Sequence, residues 1–377
     1  MDFELTSQQK MIQRIAREFA DREIEPIADE VERESKIPSI PDMLSKMAKA
    51  RLLGMLTPKE YGGAETGFLT YILAMEQIHY PCSACSHLMN LPNTLSSLIN
   101  RFGTQKQKEE YLPSIAEGKV FPSMVFTEPD TGSDPKMLTT TAHVENGCWV
   151  INGMKRFHTW GHLDGPSIIF AKTDEDRISA IIVPKNIPGY SCSKPWGLMG
   201  SKGLETVDTY LDDVRVPEEN LFGERANAYK VLLSMSAGGK LDLAIRAVAC
   251  GQRALDESIK YAKQRKTRRG PISAMQGHQW LFAEMASRVE ASRWLTYRGA
   301  FLEEQGKEAG KECAIARLFA TQGAVWVASQ AFSIHGAYGF TTDYKIEKIF
   351  KATLELEITE GTNEVQRSIV GASLVAD

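Results

Sequence analysis

The sequence predicts an α+β fold in three consecutive zones: helical over 1–119, β over 120–225 and helical again over 226–377. Three observations carry this reading. A three-to-four-residue apolar period dominates both ends. Asn-Gly pairs and alternating segments fill the middle. No Pro/Ser-rich linker or internal repeat separates the zones. At 377 residues the chain exceeds what one core usually serves, so two or three structural units are expected.

The first zone opens with Thr6 and Gln9 as a capping box, followed by Met11, Ile12, Ile15 and Phe19 on one helix face. "PKEYGG" (58–63) and "RFGTQKQKEEYLP" (101–113) read as turns between further helices. In the second zone, "HVENGCWVINGMKRF" (143–157) reads as strand, Asn-Gly turn, strand, Asn-Gly turn, strand. "SIIFAKT", "ISAIIVP" and "TVDTYLDDVRVP" extend it into a small antiparallel β-domain. The helical period returns through "AIRAVACGQRALDESIKYAKQRK" (244–266). Near the end, Gly361 permits a tight turn into a last helix, Thr362 caps it, and Val365, Ile369 and Val370 give it an apolar face. None of this local pattern requires the carboxylate at Glu360.

Composition narrows the function. The 44 basic and 48 acidic residues leave a net charge of -4, with no footprint for nucleic acid or anionic lipid. The polar start "MDFELTSQQK" is unlike a signal peptide, so a cytoplasmic location is expected, or an organelle matrix after transit-peptide removal. The apolar run 314–334 is interrupted by Arg317, Gln322 and Gln330, which points to a helix buried in protein. Six cysteines without a spacing framework are expected to be reduced. Cys82-Ser-Ala-Cys85 with His87 nearby lacks a second ligand pair, so no metal is expected and the two read as small buried side chains.

A β-domain between two helical zones creates clefts at its junctions, where ligands commonly bind. The distinctive motifs cluster there. "SMVFTEPDTGSDPKM" (123–137) is a turn-rich loop whose Thr127, Ser133 and backbone N–H groups can hold a polar ring edge and a phosphate. "GMKRFHTWG" (153–161) offers Phe157 as an aromatic wall, with Thr159 two residues on and hence on the same strand face. The five basic residues from Lys263 to Arg269 read as a solvated helix end or an anion site. "IHGAYGF" (334–340) has two glycines that let a backbone approach a ligand.

In this order, these motifs resemble the acyl-CoA dehydrogenase family along essentially the whole chain. "FTEPDTGSD" and "ITEGTNEVQRSIVG" are similar to its two signatures. "LDDVRVPEENLFG" resembles the end of its β-domain, "RKTRRGPISAMQ" the segment that reaches a neighbouring subunit's cofactor, and "IHGAYGF" the adjoining glycine turn. The resemblance implies a helical N-terminal domain, a middle β-domain and a C-terminal four-helix bundle. It also implies a homotetramer that binds FAD and acyl-CoA and passes electrons to an electron-transfer flavoprotein.

Carried over by residue, the resemblance implies that Thr127, with Met124 and the backbone around Phe126, holds the flavin's pyrimidine edge. Ser133 lies along the pyrophosphate and near the CoA arm. Phe157 packs on the isoalloxazine and Thr159 donates towards N5. Arg265, Gln276 and the backbone at Gly336 hold a neighbour's ADP portion, with Ser333 and Glu364 also at cofactor positions. Thr362 contacts the adenosine side, and Lys240 and Gly361 lie with Ser133 on the substrate side. Glu360 matches the catalytic base: it takes the α-proton while the β-hydride passes to flavin N5. The alternative base position of some members corresponds to Gly239.

The sequence departs from the family pattern at Arg268-Arg269, Ser333, Glu364 and Lys240. His158 and Trp160, placed near N5, point to an unusual substrate or a reversed direction. An enoyl-CoA reductase, a dehydrogenase for a cyclic thioester and a non-catalytic flavoprotein are the alternatives.

Overall fold

The computed structural model describes residues 4–174 and 177–375, apart from the side chains of 235–237. The first three residues of the polar N-terminal stretch lie outside the described residues. Helix α1 (Ser7–Phe19) begins at the Thr6–Gln9 capping box, with both reciprocal bonds made. A short π-turn over Ala20–Ile24 leads to α2 (Ala28–Glu34) and α3 (Ile40–Lys49). Helix α4 (Phe68–His79) is buried at every position from Thr70 onward, as an apolar run without a polar face must be. Its one acid, Glu76, accepts from Arg293 Nε at 3.0 Å and from the Tyr297 hydroxyl at 2.6 Å.

Helix α5 (Ser83–Phe102) follows, then α6 (Gln105–Ala116). The segment 101–113 is therefore mostly helix, and the expected turn is confined to Gly103 and Thr104. The reason is a second capping box: Thr104 Oγ1 accepts from Gln107 N–H at 3.3 Å, and the Gln107 side chain returns a bond to Thr104 N–H at 3.0 Å.

The middle sheet runs in the order β6-β7-β3-β2-β4-β5-β8, with β1 (Ser123–Val125) beside β4 (Pro166–Lys172). The other strands are β2 (Thr141–Glu145), β3 (Cys148–Thr159), β5 (Ile178–Pro184), β6 (Tyr190–Cys192), β7 (Thr206–Pro217) and β8 (Leu221–Phe222). Most pairings are antiparallel, but β1–β4 and the single β2–β4 pair are parallel.

Asn146-Gly147 makes the expected hairpin turn, both residues having positive φ. Asn152-Gly153 does not: β3 continues through it with a register irregularity against β7. Asn152 spans the irregularity by exchanging two 2.9 Å bonds with Asp213, and Gly153 lies so close to Thr140 that an added Cβ would sit 2.5 Å from Thr140 Oγ1.

The third zone is built on α7 (Tyr229–Gln264), whose 36 residues run about 54 Å. Helices α8 (Gln276–Glu304) and α9 (Gly310–His335) pack on it, and the short α10 (Lys345–Glu355) and α11 (Asn363–Val375), both against α9, complete the bundle. A two-stranded hairpin, β9 (Lys266–Thr267) and β10 (Gly270–Pro271), joins α7 to α8.

The cores follow the layers. One apolar cluster joins Phe19, Met47, Ile72 and Leu88 of the first zone to Leu241, Ile245, Val327 and Leu356 of the last. A second seals α5 and α6 onto the sheet through Leu95, Leu112, Phe170 and Ile182. Glu25 ties the ends together, accepting from both Arg253 guanidinium nitrogens at 2.9 and 2.8 Å and from Lys345. Among the described residues, no helix is long and apolar enough to cross a membrane.

Candidate active site

Glu360 sits in the turn between α10 and α11, at φ +50, with Gly361 at φ +84. A left-handed glutamate is uncommon and needs external support. Arg317, fully buried on α9, supplies it by donating Nη1 to the Glu360 carbonyl at 2.9 Å and Nη2 to the Thr359 carbonyl. Thr321, one turn further, donates to Asn363 Oδ1 at 3.1 Å, and Asn363 Nδ2 reaches Glu357 at 3.1 Å. Arg317, one of the three residues that interrupt the apolar run of α9, is thus the clamp of this turn.

Glu360 is exposed along part of its surface, yet enough protein is packed around its carboxyl that desolvation lifts its pKa above the usual carboxylate value. Arg246 and Arg317 pull it down; Asp242 and Glu355 push it up. Its carboxylate lies against Gly239 of α7, where an added Cβ would stand 2.4 Å from Oε2. The position across from the carboxylate accepts no side chain without displacing it.

Beyond Gly239, the same face of α7 carries Asp242 and Arg246, about 4.5 and 10 Å further along the axis. Both are buried, with Arg246 Nε 2.8 Å from the Asp242 carboxylate. The angle is poor, and neither Nε nor Asp242 Oδ2 has a well-aligned hydrogen-bond partner. Tyr71 donates to Asp242 Oδ1 at 2.8 Å and receives Asn90 Nδ2 at 3.2 Å. Arg246 Nη1 donates to His87 Nε2 at 2.6 Å, and His87 Nδ1 meets the Ser83 carbonyl at 3.1 Å. Burial, then the Arg246 charge, lowers the His87 pKa to about 3, so His87 is a neutral acceptor. Asn93 is instead a strut, donating to the Leu52 and Met89 carbonyls at 2.8 Å.

On the sheet side, Phe157 has φ +56 at the irregularity between Lys155 and His158, and its ring is 54% exposed. A bulge re-aims a side chain in this way. Trp196 tilts against it at 5.8 Å, with Arg156 over the Trp196 ring and bonded to Asp208 at 3.1–3.2 Å. Thr159 and Thr127 are half-buried, and Ser133 is exposed on the 126–140 loop. Met124 and Phe126 turn their side chains into the core, Phe126 edge-on to Phe170.

That loop is fixed by Glu128. Its carboxylate accepts from Thr139 N–H at 2.5 Å and Oγ1 at 2.6 Å, from Thr140 N–H at 3.0 Å, and from Lys155 Nζ at 2.7 Å. Burial pushes this pKa up, but Lys155 and the hydrogen bonds prevail and hold it at about 2.

His158 and Trp160 do not wall the site. His158 is buried with Nδ1 2.9 Å from Thr209 Oγ1 and Nε2 2.8 Å from Ser123 Oγ, and Trp160 is buried edge-on against Phe121. They are sheet-core residues. A polar His suits the core here because three hydroxyl-bearing strands surround it, Ser167 Oγ being the third at 3.3 Å.

The remaining motif residues lie elsewhere. Arg265 caps the far end of α7, about 39 Å along the helix from Gly239. Ile272 N–H bonds to its carbonyl at 2.9 Å, and Gln276, exposed, opens α8 just beyond. Tyr261 stacks on His335 at 4.3 Å, which brings Gly336 (φ +59) and exposed Ser333 to the same end. Lys240 is buried, with its pKa lowered by burial and Glu303 and Arg317 near its ammonium. Gly361 and Thr362 flank the clamp; Glu364 is exposed and pairs with Arg367 at 2.6 Å. One chain therefore brings Glu360, Gly239 and the α7 charges together, and gathers Arg265, Gln276, Ser333 and Gly336 at a separate pole. Reading the sequence missed Glu128, Lys155, Trp196, Arg246 and Arg317.

Family models for the acyl-CoA dehydrogenase N-terminal, middle and C-terminal domains match residues 6–119, 123–214 and 229–375. The chain belongs to the acyl-CoA dehydrogenase family.

Within the family, the chain is 35% identical over 381 residues to an acryloyl-CoA reductase (NADH) of Anaerotignum propionicum, covering 100% of this chain and 96% of that protein. The butyryl-CoA dehydrogenase structure from Megasphaera elsdenii matches with a TM-score of 0.95 at 30% identity, over all of both chains. An acyl-CoA dehydrogenase from Bacillus anthracis, complexed with FAD, matches at 0.93 and 29% identity, covering 99% of this chain and 67% of that one. The family's cofactor suits the residues present: an exposed aromatic pair beside two half-buried hydroxyls is a fitting wall for a flat, polar-edged ring.

Proposed function

We propose that this acyl-CoA dehydrogenase family member is an FAD enzyme that interconverts an acyl-CoA thioester and its 2,3-enoyl-CoA, with Glu360 exchanging the α-proton. The observation that carries the reading is the Glu360 carboxyl: raised in pKa by burial, clamped through its own turn by Arg317, and set against a glycine. A base that attacks a weakly acidic carbon gains from such a shift.

FAD supplies the acceptor of the β-hydride. Thr127 and the backbone at Phe126 would hold its pyrimidine edge, Phe157 and Trp196 its ring, Thr159 its N5 side, and Ser133 its pyrophosphate. Arg265, Gln276 and Gly336 serve a neighbouring subunit's cofactor, because their pole is too far from their own chain's Glu360; a homotetramer satisfies this. Arg317 has a second effect. The Thr359 carbonyl it grips shares a peptide unit with the Glu360 N–H, so the guanidinium polarises that N–H as a donor to the thioester oxygen, where charge develops. Asp242 and Arg246 occupy the α7 face where a long alkyl chain would need apolar wall, so the acyl group is short.

The dehydrogenase direction delivers electrons to an electron-transfer flavoprotein. The reductase direction is favoured by the named activity of the Anaerotignum relative, and the same Glu360 then returns the proton. A cytoplasmic location fits either direction. The test is a panel of acyl- and enoyl-CoA thioesters assayed with oxidised and reduced artificial carriers. Turnover of short thioesters in one direction is expected. An FAD-loaded protein inert to the whole panel both ways would sink the reading.

A further inference from the structure

The face of α7 that meets the base carries an ion pair for which proton transfer has no use. Gly239 lies against the Glu360 carboxylate, and Asp242 and Arg246 follow it on the same face, about one and two turns along the helix. Both are only 1% exposed. The Arg246 side chain folds back towards the start of α7, as helical side chains do, so its Nε comes within 2.8 Å of Asp242 Oδ2. The guanidinium therefore stands about one turn, roughly 5.4 Å, along the axis from Gly239.

The bonds this pair does make come from α4 and α5. Tyr71 donates to Asp242 Oδ1 at 2.8 Å, and Arg246 Nη1 donates to His87 Nε2 at 2.6 Å. Those partners are fixed in turn, Tyr71 by Asn90 Nδ2 at 3.2 Å and His87 by the Ser83 carbonyl at 3.1 Å. Arg246 Nε and Asp242 Oδ2 are left buried without an aligned partner, one a donor and the other an acceptor. Unmet buried polar atoms are costly, so a ligand group that meets both supplies what the free protein lacks. Both residues also share the surroundings of the base. Their charges act on the Glu360 carboxyl, and those of Asp242, Glu360 and Glu355 act on Arg246.

We propose that Asp242 and Arg246 set the acyl specificity by binding a hydroxyl group on the γ or δ carbon of the substrate's acyl chain. The inference rests on the acyl/enoyl-CoA reaction at Glu360 and narrows it to short hydroxyacyl thioesters. A hydroxyl fits both roles: its O–H donates to Asp242 Oδ2 while its oxygen accepts from Arg246 Nε. The reach fits as well. The α-carbon stands beside the Glu360 carboxylate, level with Gly239, and about three or four chain bonds carry a hydroxyl one helical turn further, to the guanidinium. A carboxylate fits badly. Asp242 already balances Arg246, and beside Glu355 and Glu360 a further negative charge would be buried without a counter-ion. An alkyl end fits badly too, because it seals both polar atoms away from any partner.

The test measures kcat/KM on the FAD-loaded full chain for two pairs matched in chain length, as acyl or enoyl forms. The pairs are γ-hydroxybutyryl-CoA against pentanoyl-CoA and δ-hydroxypentanoyl-CoA against hexanoyl-CoA, with succinyl-CoA as the carboxylate. At one position or both, the hydroxyl is expected to raise kcat/KM by about tenfold to a hundredfold. The double variant Asp242→Leu, Arg246→Met removes the pair without stranding either charge, and should bring the ratio to one or below. The ratio compares two substrates on one protein, so a general loss of activity leaves it readable. If no thioester turns over, the reaction at Glu360 is what fails, and titration calorimetry of the same pairs still reads the preference as an affinity ratio. Ratios near one at both positions, a preference that survives the double variant, or succinyl-CoA favoured over both hydroxyacyl thioesters overturns the proposal. If the double variant does not fold, the wild-type ratios decide alone.

Discussion

Glu360, in the turn between α10 and α11, and Glu128, in the loop after β1, are the same residue type, and in both burial exerts the largest pull on the carboxyl. The outcomes are opposite. Glu128 meets Lys155 at 2.7 Å and three further donors, and its pKa falls to about 2. Glu360 has guanidinium groups near but none bonded to its carboxylate oxygens, because Arg317 spends its hydrogen bonds on backbone carbonyls; its pKa rises. Burial alone does not make a base. What makes one is burial with the neighbouring cations directed elsewhere.

The widest test of this contrast is Glu360→Gln. The amide cannot take a proton, so the rate of α-proton removal should fall by about a hundredfold to ten-thousandfold while FAD stays bound. Stopped-flow flavin reduction and deuterium exchange at the thioester α-carbon both read it; a loss of only a few-fold would place the base elsewhere.

Glu128→Gln should instead leave the chemistry and break the fold. Stranding the buried Lys155 ammonium costs about 3–5 kcal/mol, visible in denaturant unfolding. Because the folded pKa of Glu128 lies below its ordinary value, its stabilisation is complete above about 4.5 and is lost as pH falls towards 2. Glu128→Gln should remove that acid-side dependence. An unchanged midpoint would show that the pair is not what holds the loop.

Arg317→Lys sharpens the comparison from the other side. A single ammonium cannot span the carbonyls of both Thr359 and Glu360, so kcat should drop by about tenfold with KM and FAD content nearly kept, a loss of order 1–2 kcal/mol. A rise in KM alone would assign Arg317 to binding.

The smallest effect is the reverse linkage at Glu360. Its raised pKa favours the folded state below the ordinary value, and that contribution is lost as pH rises through the folded pKa. Glu360→Gln should therefore melt slightly higher than wild type at neutral pH, while Glu128→Gln melts lower. Scanning calorimetry of both variants at pH 5 and 8 separates the signs.

Much of this was legible in the sequence where the cause is local. The Thr6 capping box, the Asn146-Gly147 hairpin and the turn at Gly361 depend on neighbours within four residues. The Thr104–Gln107 box is equally local, and it starts a helix directly after Gly103, inside the stretch 101–113 that reads as a turn. Asn152-Gly153 misled because its partner, Asp213, lies 61 residues on, and only the facing strand turns the pair into an irregularity. Glu360 stood out by resemblance to a family signature, not by any local need. Its supports were invisible for a physical reason: Arg317 acts across 43 residues and Arg246 meets His87 across 159, so neither leaves a spacing pattern. In a bare sequence, each is only a charge breaking an apolar run.

The apolar cluster that unites the first and last zones has a consequence for how the protein is made. Phe19, Ile72 and Leu88 leave the ribosome first, yet Leu241, Val327 and Leu356, against which they finish packing, follow only after the whole β-domain has been translated. At about 5–20 residues per second, the early helices wait roughly 10–50 seconds with an unfinished apolar face. The β-domain can close its own Trp149–Ile169–Val214 cluster in that interval. The nascent chain thus passes through a stage with a folded middle and an open beginning, and that stage is where a chaperone has something to hold.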